Sequence, residues 1–309
     1  MPFLIHFYRR STEKIASILH EYFERVALKL YHMKAHSLMF ETVLYLRHLF
    51  KFLARHKRLP IRPNTLFNDF LFQLVSRSEL GSPLRTFITD KEFGKIYVEK
   101  KLGAGTTPAT LCVLRTPEKV DTYLPATYPI VIKPTHSFGR IVLVFSESDY
   151  HKAKTQIKDW LNQDYFLQSL ERNYAKLEKK IIVEKYIDDT FAIEGSVHCL
   201  SGEPKIISLI DRKTKERQSF DTNKSPLGVS LAYPLKEFEP KDWGFLNSLL
   251  KSSRILSGEF SYIRIDFYTD GERVLFGELT NLPAGGMGKF FPAGGEKKFS
   301  EVFFNSWQK

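Results

Sequence analysis

Two acidic residues stand inside apolar strands late in the chain, and they limit what it can fold into. In RIDFYTDGERVLFGELTNLPAGG, Arg264 to Gly286, Asp266 follows an isoleucine in one strand-like run and Glu278 closes the next. The TDGE between the runs is a hairpin turn, so the two strands are neighbours. A carboxylate within an apolar strand is costly unless it is paired or ligated. The fold must therefore bring cations or a metal to both acids, beside a glycine-rich loop suited to close backbone approach. Arg264 lies two residues before Asp266 and shares its face of the strand.

The same oddity recurs upstream. Glu184 sits in KIIVEKYI, Lys180 to Ile187, among Ile and Val. Lys133 ends the apolar strand YPIVIKP, and the proline after it keeps the chain extended there. Taken singly, an acid in a strand is more often half of a structural ion pair. Taken together, two carboxylates and a Thr or Asn oxygen on adjacent strands form a hard-cation site of the kind Mg²⁺ prefers. With Lys and Arg nearby, its natural guest is a magnesium-bound polyphosphate.

The rest of the chain alternates helix and strand, which makes the fold class α+β in two mixed lobes, with KIIVEKYI near their junction. Apolar positions from Ile15 to Met33 recur every three or four residues and predict an amphipathic helix with Ser11 or Thr12 as N-cap. A second helix is predicted over Leu38 to Leu53, and RHKRLPIRPN marks a boundary. The strands YPIVIKP and RIVLVF flank a short loop, THSFG. A long helix over His151 to Lys179 leads into KIIVEKYI. FAIEGSVHCL and PKIISLIDRK form a hairpin, and a helix near Lys241 to Ile255 precedes the opening stretch.

Charge is concentrated at the start of the chain. Residues 1–60 hold five Lys and six Arg against four Glu, seven of the eleven net positive charges. Such a surface suits a polyanion or an anionic membrane. No nucleic-acid module accompanies it, so no nucleic acid is expected as a partner. The second helix is too short and too charged to span a bilayer. Residues 1–54 are expected either to pack on the body or to lie on a membrane surface. Cys112 and Cys199 are too few for a disulfide framework, and MPFLIHFYRR reverses the order of a secretory signal. Both favour a cytoplasmic chain, free or peripheral at the inner face of the membrane.

The order of these segments resembles the ATP-grasp superfamily and, within it, the TupA-like branch associated with teichuronopeptide biosynthesis. The similarity runs from about Arg55 to Pro292 through RHKRLP, TDKEFGKIYVEKKLG, LPATYPIVIKPTHSFG, ERNYAKLEKKIIVEKYI and YIRIDFY…VLFGELTNLP. It implies an ATP-grasp fold, two α+β lobes gripping ATP, with a basic helical N-terminal extension. The implied divisions are 1–60 for the extension, 61–125 for a mostly helical region, 126–190 for the small lobe and 191–309 for the large lobe. The implied activity is an ATP- and Mg²⁺-dependent carboxylate–amine ligase working through an acyl phosphate. Its substrates would be a small-molecule carboxylate and amine, or a polyanionic glycan precursor.

Site residues follow from the same resemblance. Lys95 matches the first phosphate-contacting cation, and Lys133 the lysine of the α- and β-phosphates. His136, Ser137 and Gly139 match the phosphate loop. Glu184 with the backbone of Lys185, Tyr186 and Ile187 matches the adenine hinge, with Asp188 or Asp189 at the ribose. Arg264 matches the γ-phosphate arginine, and Asp266 and Glu278 match the Mg²⁺ ligands. Where the superfamily often reads E-x-N, this chain has Thr280 at that spacing and Asn281 one further on. Alternation favours Thr280 as the helper, with Asn281 its rival if the strand has ended. Gly285, Gly286 and Lys289 match the acceptor-substrate loop.

Two departures from the family pattern stand out. KPTHSFG places Ser137 and Phe138 where Gly and Ser are usual, and Ser196 stands where a lysine is common. Arg212 and Lys213 are candidate substitutes for that lysine. The departures support a second reading, a catalytically silent nucleotide-binding or scaffold protein.

Overall fold

The computed structural model describes residues 2–33 and 38–305, with side chains from Glu13 onward. In chain order its elements are α1 (Pro2–His32), α2 (Leu38–His56), α3 (Phe67–Ser76), α4 (Pro83–Thr89), α5 (Lys91–Leu102), β1 (Thr110–Leu114), α6 (Pro117–Thr122), β2 (Ile130–Pro134) and β3 (Val142–Val144). There follow α7 (Glu147–Asn162), α8 (Tyr165–Ser169), β4 (Ile181–Lys185), β5 (Ile193–Leu200), β6 (Glu203–Asp211), β7 (Arg217–Asp221) and β8 (Ser230–Leu231). Last come α9 (Leu246–Ser257), β9 (Tyr262–Thr269), β10 (Val274–Thr280), β11 (Phe290–Phe291) and α10 (Gly295–Phe304).

The chain divides into two compact units. The first is Met1–Leu80, Leu231–Pro234 and Leu282–Lys309; the second is Gly81–Ser230 and Leu235–Asn281. The N-terminal helices take in α3 and the C-terminal segment, because aromatic packing joins those pieces. Phe67 lies 4.9 Å from Phe299 and 5.0 Å from Phe303, ring centre to ring centre. Glu296 also accepts from the Asn68 amide at 2.9 Å, which satisfies one of the free donors at the start of α3. The helix expected from Ser11 begins at Pro2 instead, so Ser11 and Thr12 lie within it and not at its start; their side chains lie outside the described residues.

The second unit holds two antiparallel sheets. The smaller has strand order β1-β4-β2-β3 and the larger β10-β9-β5-β6-β7. Alternation gives each sheet one apolar face. Ile130, Ile132, Val144, Ile181 and Val183 of the small sheet pack under α6 and α7 through Val120, Tyr150 and Ile157. Val197, Cys199, Ile207, Ile263, Ile265 and Phe267 of the large sheet pack against Leu246, Leu249 and Leu256 of α9 and Tyr97 and Val98 of α5. The opposite faces carry the polar residues singled out in the sequence.

The single long helix expected over His151 to Lys179 is broken. α7 ends at Asn162, α8 is capped by Asp164 through the Phe166 amide, and Leu170 ends it with φ of 55°. Strands β1 and β7 went unread because TLCVL and RQSFD are short and carry little alternation.

Candidate active site

Strand pairing builds the acidic end of the site. In the β9–β10 ladder Phe276 pairs with Phe267 and Glu278 with Asp266, so Gly277 is an extra residue bulged out of β10. A Cβ on Gly277 would stand 3.1 Å from the Tyr268 ring, which is why the bulge carries a glycine. The bulge aligns Glu278 and Thr280 with Asp266 and Arg264 on one face. Thr280 Oγ1 lies 3.0 Å from Glu278 Oε1 and 3.2 Å from Asp266 Oδ2. Asn281 is directed elsewhere: its amide accepts from Arg85 at 2.8 Å and donates to Thr89 Oγ1 at 2.9 Å. Ser196 pairs with Asp266 from β5, on the same face.

Arg264 forks onto Asp266, with Nε to Oδ1 at 2.6 Å and Nη2 to Oδ2 at 2.5 Å. Nη2 also reaches Thr280 Oγ1 at 3.2 Å. Burial pushes the Asp266 carboxyl up to about 6 against the pull of Arg264, with Glu278 and Glu194 adding to the rise. Glu278 moves the other way. Burial raises it, but Lys91, Arg264, Thr280 and Lys133 together hold it below the usual carboxylate range.

A cationic group faces these acids. Glu184 is 4% exposed and bridges two lysines, Lys95 at 2.7 Å and Lys133 at 2.8 Å. Burial alone would raise its carboxyl, and the two ammonium groups outweigh that and lower it. Lys95 is turned inward, bonded to the Pro108 carbonyl as well as Glu184, and only 7% exposed.

Lys91, one turn earlier on the same face of α5, is the cation that reaches the loop, and sequence reasoning passed over it. Its ammonium donates to the Ser137 carbonyl at 2.6 Å and lies 4.0 Å from Glu278. Burial lowers its pKa, while Glu278 and Glu184 oppose that shift. Asp90 fixes where it stands, capping α5 by accepting from the Glu92 amide at 2.9 Å. The motif T-D-K-E was the available signal: an N-cap acid places the following lysine at a helix start.

The phosphate-loop residues divide. His136 is 3% exposed, and its ring nitrogens meet the Trp160 carbonyl at 3.1 Å and the Lys180 amide at 3.3 Å, so backbone groups occupy both. Gly139, at φ of 74°, takes the left-handed turn that the loop needs. The Ser137 hydroxyl and Arg140 Nη1 are buried polar atoms with no hydrogen-bond partner among the described residues. Orphaned donors of this kind, on a loop whose Ser137 carbonyl binds Lys91, suit an anion.

At the hinge, Lys185 and Tyr186 donate their amides to the Ala109 and Pro129 carbonyls at 2.9 and 3.4 Å. Arg212 binds the carbonyls of Ile187, Asp188 and Phe191, so it steadies the segment between the sheets and is not a spare phosphate donor. Tyr186 Oη is 3.5 Å from Asp189 Oδ1, and Asp188 is occupied by Thr190.

An exposed apolar strip lies on the smaller sheet. Val131 pairs with Leu143 and with Glu184, so all three share the face of Lys133. Ile141, Leu143 and Phe145 recur every second residue there and are 54, 44 and 59% exposed. Phe145 lies 6.1 Å from the Tyr186 ring. A planar base laid on this face would have its phosphates toward Lys133. Sequence reading missed these residues because an apolar strand gives no sign of which face the fold leaves open.

The donor set fits a hard cation. Among the described residues no cluster of three or more His, Cys, Asp or Glu could hold a metal. Two carboxylates and a hydroxyl, from Asp266, Glu278 and Thr280, would leave positions for phosphate oxygens and water, the usual Mg²⁺ arrangement. Gly285, Gly286 and Lys289 belong to the first unit. There Ala284 and Gly285 turn left-handed, Arg55 donates to the Met287 carbonyl at 2.9 Å, and the Lys289 carbonyl accepts from the Ala232 amide.

Several solved structures resemble the chain. A D-alanine–D-alanine ligase from Bacillus anthracis is 16% identical, with 65% of this chain matched to 58% of that one and a TM-score of 0.41. An L-amino acid ligase from Bacillus licheniformis is 16% identical over 70% of this chain and 49% of that one, with a TM-score of 0.45. The chain thus spans less than two thirds of either. A D-cycloserine synthetase is 13% identical over 77 and 78% of the two chains, with a TM-score of 0.41. No curated protein matches. The family model described as TupA-like ATPgrasp matches residues 73–303, a span that takes in both sheets and α5. The chain belongs to the TupA-like ATP-grasp family.

Proposed function

We propose that this protein is an ATP- and Mg²⁺-dependent carboxylate–amine ligase. The observation that carries the reading is the meeting of Lys91, Lys133 and Arg264 with the Asp266–Glu278 pair within one compact unit. Family membership supports ATP as the phosphoryl donor.

Amide formation from a free carboxylate is uphill in water, and ATP makes it feasible. A substrate carboxylate oxygen attacks the γ-phosphorus as the bond to ADP breaks, giving an acyl phosphate. The amine nitrogen then attacks the carbonyl carbon, phosphate leaves with the C–O electron pair, and the amine proton passes to solvent. Both reactants of the first step are anions, so their repulsion must be screened. Asp266, Glu278 and Thr280 would hold Mg²⁺, which supplies charge neutralisation at the phosphates. Lys133 and Lys91 face the loop where those phosphates would lie. Arg264, the counter-charge of Asp266, would meet the γ-phosphoryl group and the later oxyanion. Leu143, Phe145 and Tyr186 would cover the base. Gly285, Gly286 and Lys289 are proposed to receive the acceptor, a small amine or a polyanionic glycan precursor.

A silent nucleotide-binding protein is the second reading, favoured by the fork that ties Arg264 to Asp266. One assay separates the two. The protein is incubated with Mg²⁺-ATP and panels of carboxylates and amines, with ADP followed and Asp266→Asn as control. Amine-dependent ADP release, lost in the control, is the expected result. Thermal stabilisation by Mg²⁺-ATP without turnover on any panel would sink the ligase reading in favour of the second.

A further inference from the structure

The N-terminal hairpin carries more apolar surface than its own packing uses. Its inner seam is complete. Phe23 stacks on Phe50 at 5.5 Å, Arg47 pairs with Glu24 at 3.3 Å, and Ala27, Leu44 and Phe52 are wholly buried. The outer face of α1 nevertheless shows Ile15, Ile18, Tyr22 and Met33, which are 54 to 65% exposed. At 100° per residue these four fall on one stripe. Leu38 and Met39, at the start of α2, are 84 and 56% exposed. An apolar cavity of about 350 Å³ between the helices, lined by Ala16, Leu19, Phe50 and Leu53, meets the stripe at Ile15.

Cations are interleaved with this stripe. Lys14, Arg25 and Lys29 are exposed on the same side of α1, with Glu21 the one exposed acid among the described residues of that helix. None of the three cations has an ion-pair partner among the described residues. Apolar side chains alternating with lysine and arginine form the pattern of a helix lying in a headgroup layer, with the cations reaching phosphates and the apolar groups below them. A second copy of the chain is a poorer occupant, because pairing two such stripes would set like charges together. No described helix is long and apolar enough to cross a bilayer, so contact would be along the surface.

We propose that the outer face of the α1–α2 hairpin docks on an anionic lipid bilayer, with Ile18, Tyr22 and Met39 inserted and Lys14, Arg25 and Lys29 on lipid phosphates. The inference stands apart from the ligase reading and survives its failure. The test uses the full chain and sedimentation with vesicles, one set of phosphatidylcholine alone and one with phosphatidylglycerol added. Two variants are compared: Ile18→Ser with Tyr22→Ser and Met39→Ser, and Lys14→Glu with Arg25→Glu and Lys29→Glu. All six positions are exposed, so unchanged melting curves are expected for both. Binding should require the anionic lipid and weaken with salt. The charge-reversed variant should lose on the order of 100-fold in affinity and the serine variant at least about 10-fold. Absence of binding to anionic vesicles, or binding equal in the parent and both variants, overturns the proposal. So does a concentration-dependent dimer that both variants dissolve, which would name a second copy as the occupant.

Discussion

Glu278 sits directly opposite Asp266 because one residue between Phe276 and Glu278 is bulged out of the ladder. Without that bulge the side-chain alternation would shift by one and turn Glu278 to the other face. Gly277→Val tests this dependence. Its side chain would press on the Tyr268 ring, already 3.1 Å from where a Cβ would stand. Denaturant melts are expected to show a loss of about 1–3 kcal/mol. Magnesium-dependent ATP binding, measured by calorimetry, should fall well beyond what that loss explains. An unchanged magnesium requirement would mean the bulge is incidental to the acid pair.

Lys91 and Lys95 share a helix face but have opposite fates, and paired substitutions separate them. Lys95 closes a buried bridge with Glu184, so Lys95→Met should cost about 3 kcal/mol of stability by leaving that carboxylate half paired. Lys91 spends its ammonium on the loop carbonyl of Ser137 and on Glu278. Lys91→Met should cost only about 1 kcal/mol, yet lower ATP-dependent turnover about 100-fold. Urea melts and ADP release on both proteins check the pattern, and a swap of the two outcomes would assign the phosphate role to Lys95 and the structural one to Lys91.

These two lysines mark what the sequence made legible. Both belong to TDKEFGK, and the segment was recognisable. The choice between them depended on where Glu184 and the Pro108 carbonyl lie, and both contacts are long-range. The acids of β4, β9 and β10 were readable because a carboxylate among Ile and Val needs a partner wherever the strand goes. Leu143 and Phe145 were not, since an apolar residue raises no such demand. The break of the helix at Asn162 was hidden for a similar reason. NQDYF is only mildly averse to helix, and the end of the helix rests on the Asp164 cap and on contacts distant in sequence.

The apolar strip of Leu143 and Phe145, with Tyr186 beside it, makes its own prediction. Leu143 is 44% exposed, so Leu143→Asp should leave the melting curve nearly unchanged. A charge beneath a stacked base should weaken ATP binding by about 10- to 100-fold, the usual worth of one stacking contact. Fluorescent-nucleotide titration reads this directly. Equal affinity in the variant would move the base away from β3.

His198 gives the fold a pH dependence that can be isolated. It is 1% exposed, its Nδ1 lies 2.9 Å from the Tyr262 hydroxyl, and burial, with Arg264 adding to it, lowers its pKa to about 3. Above pH 6.5 neither the folded nor the unfolded state carries the proton. Below it the unfolded chain binds a proton that the folded one refuses until about pH 3, so stability falls as pH drops through that window. The His198 share should reach about 2 kcal/mol by pH 5. His198→Gln keeps a hydrogen-bonding group and removes the titration. The parent should therefore lose about 2 kcal/mol more than the variant between pH 7.5 and pH 5. Parallel losses would place the pH sensitivity in other histidines that desolvation holds below the usual range, such as His136 and His56.

Thr280 tests whether the second strand has kept a working metal position with an unusual residue. Its hydroxyl is the only neutral oxygen within hydrogen-bond reach of both Asp266 and Glu278 among the described side chains, and it also accepts from Arg264. Thr280→Val keeps the shape and removes the oxygen. That change should raise the magnesium concentration needed for half-maximal ATP binding by about 10-fold, the worth of one hydrogen bond to a charged group. Thr280→Asn restores a longer oxygen at the same register position, and its magnesium requirement should stay within about threefold of the parent, well under that hydrogen-bond loss. Both variants keep the β10 backbone bonds, so circular dichroism should be unaffected, and melting should report only the loss of the hydroxyl's own hydrogen bonds in Thr280→Val. If Thr280→Val binds magnesium and nucleotide like the parent, the two carboxylates hold the cation without it, and the hydroxyl serves only to space the acids from Arg264.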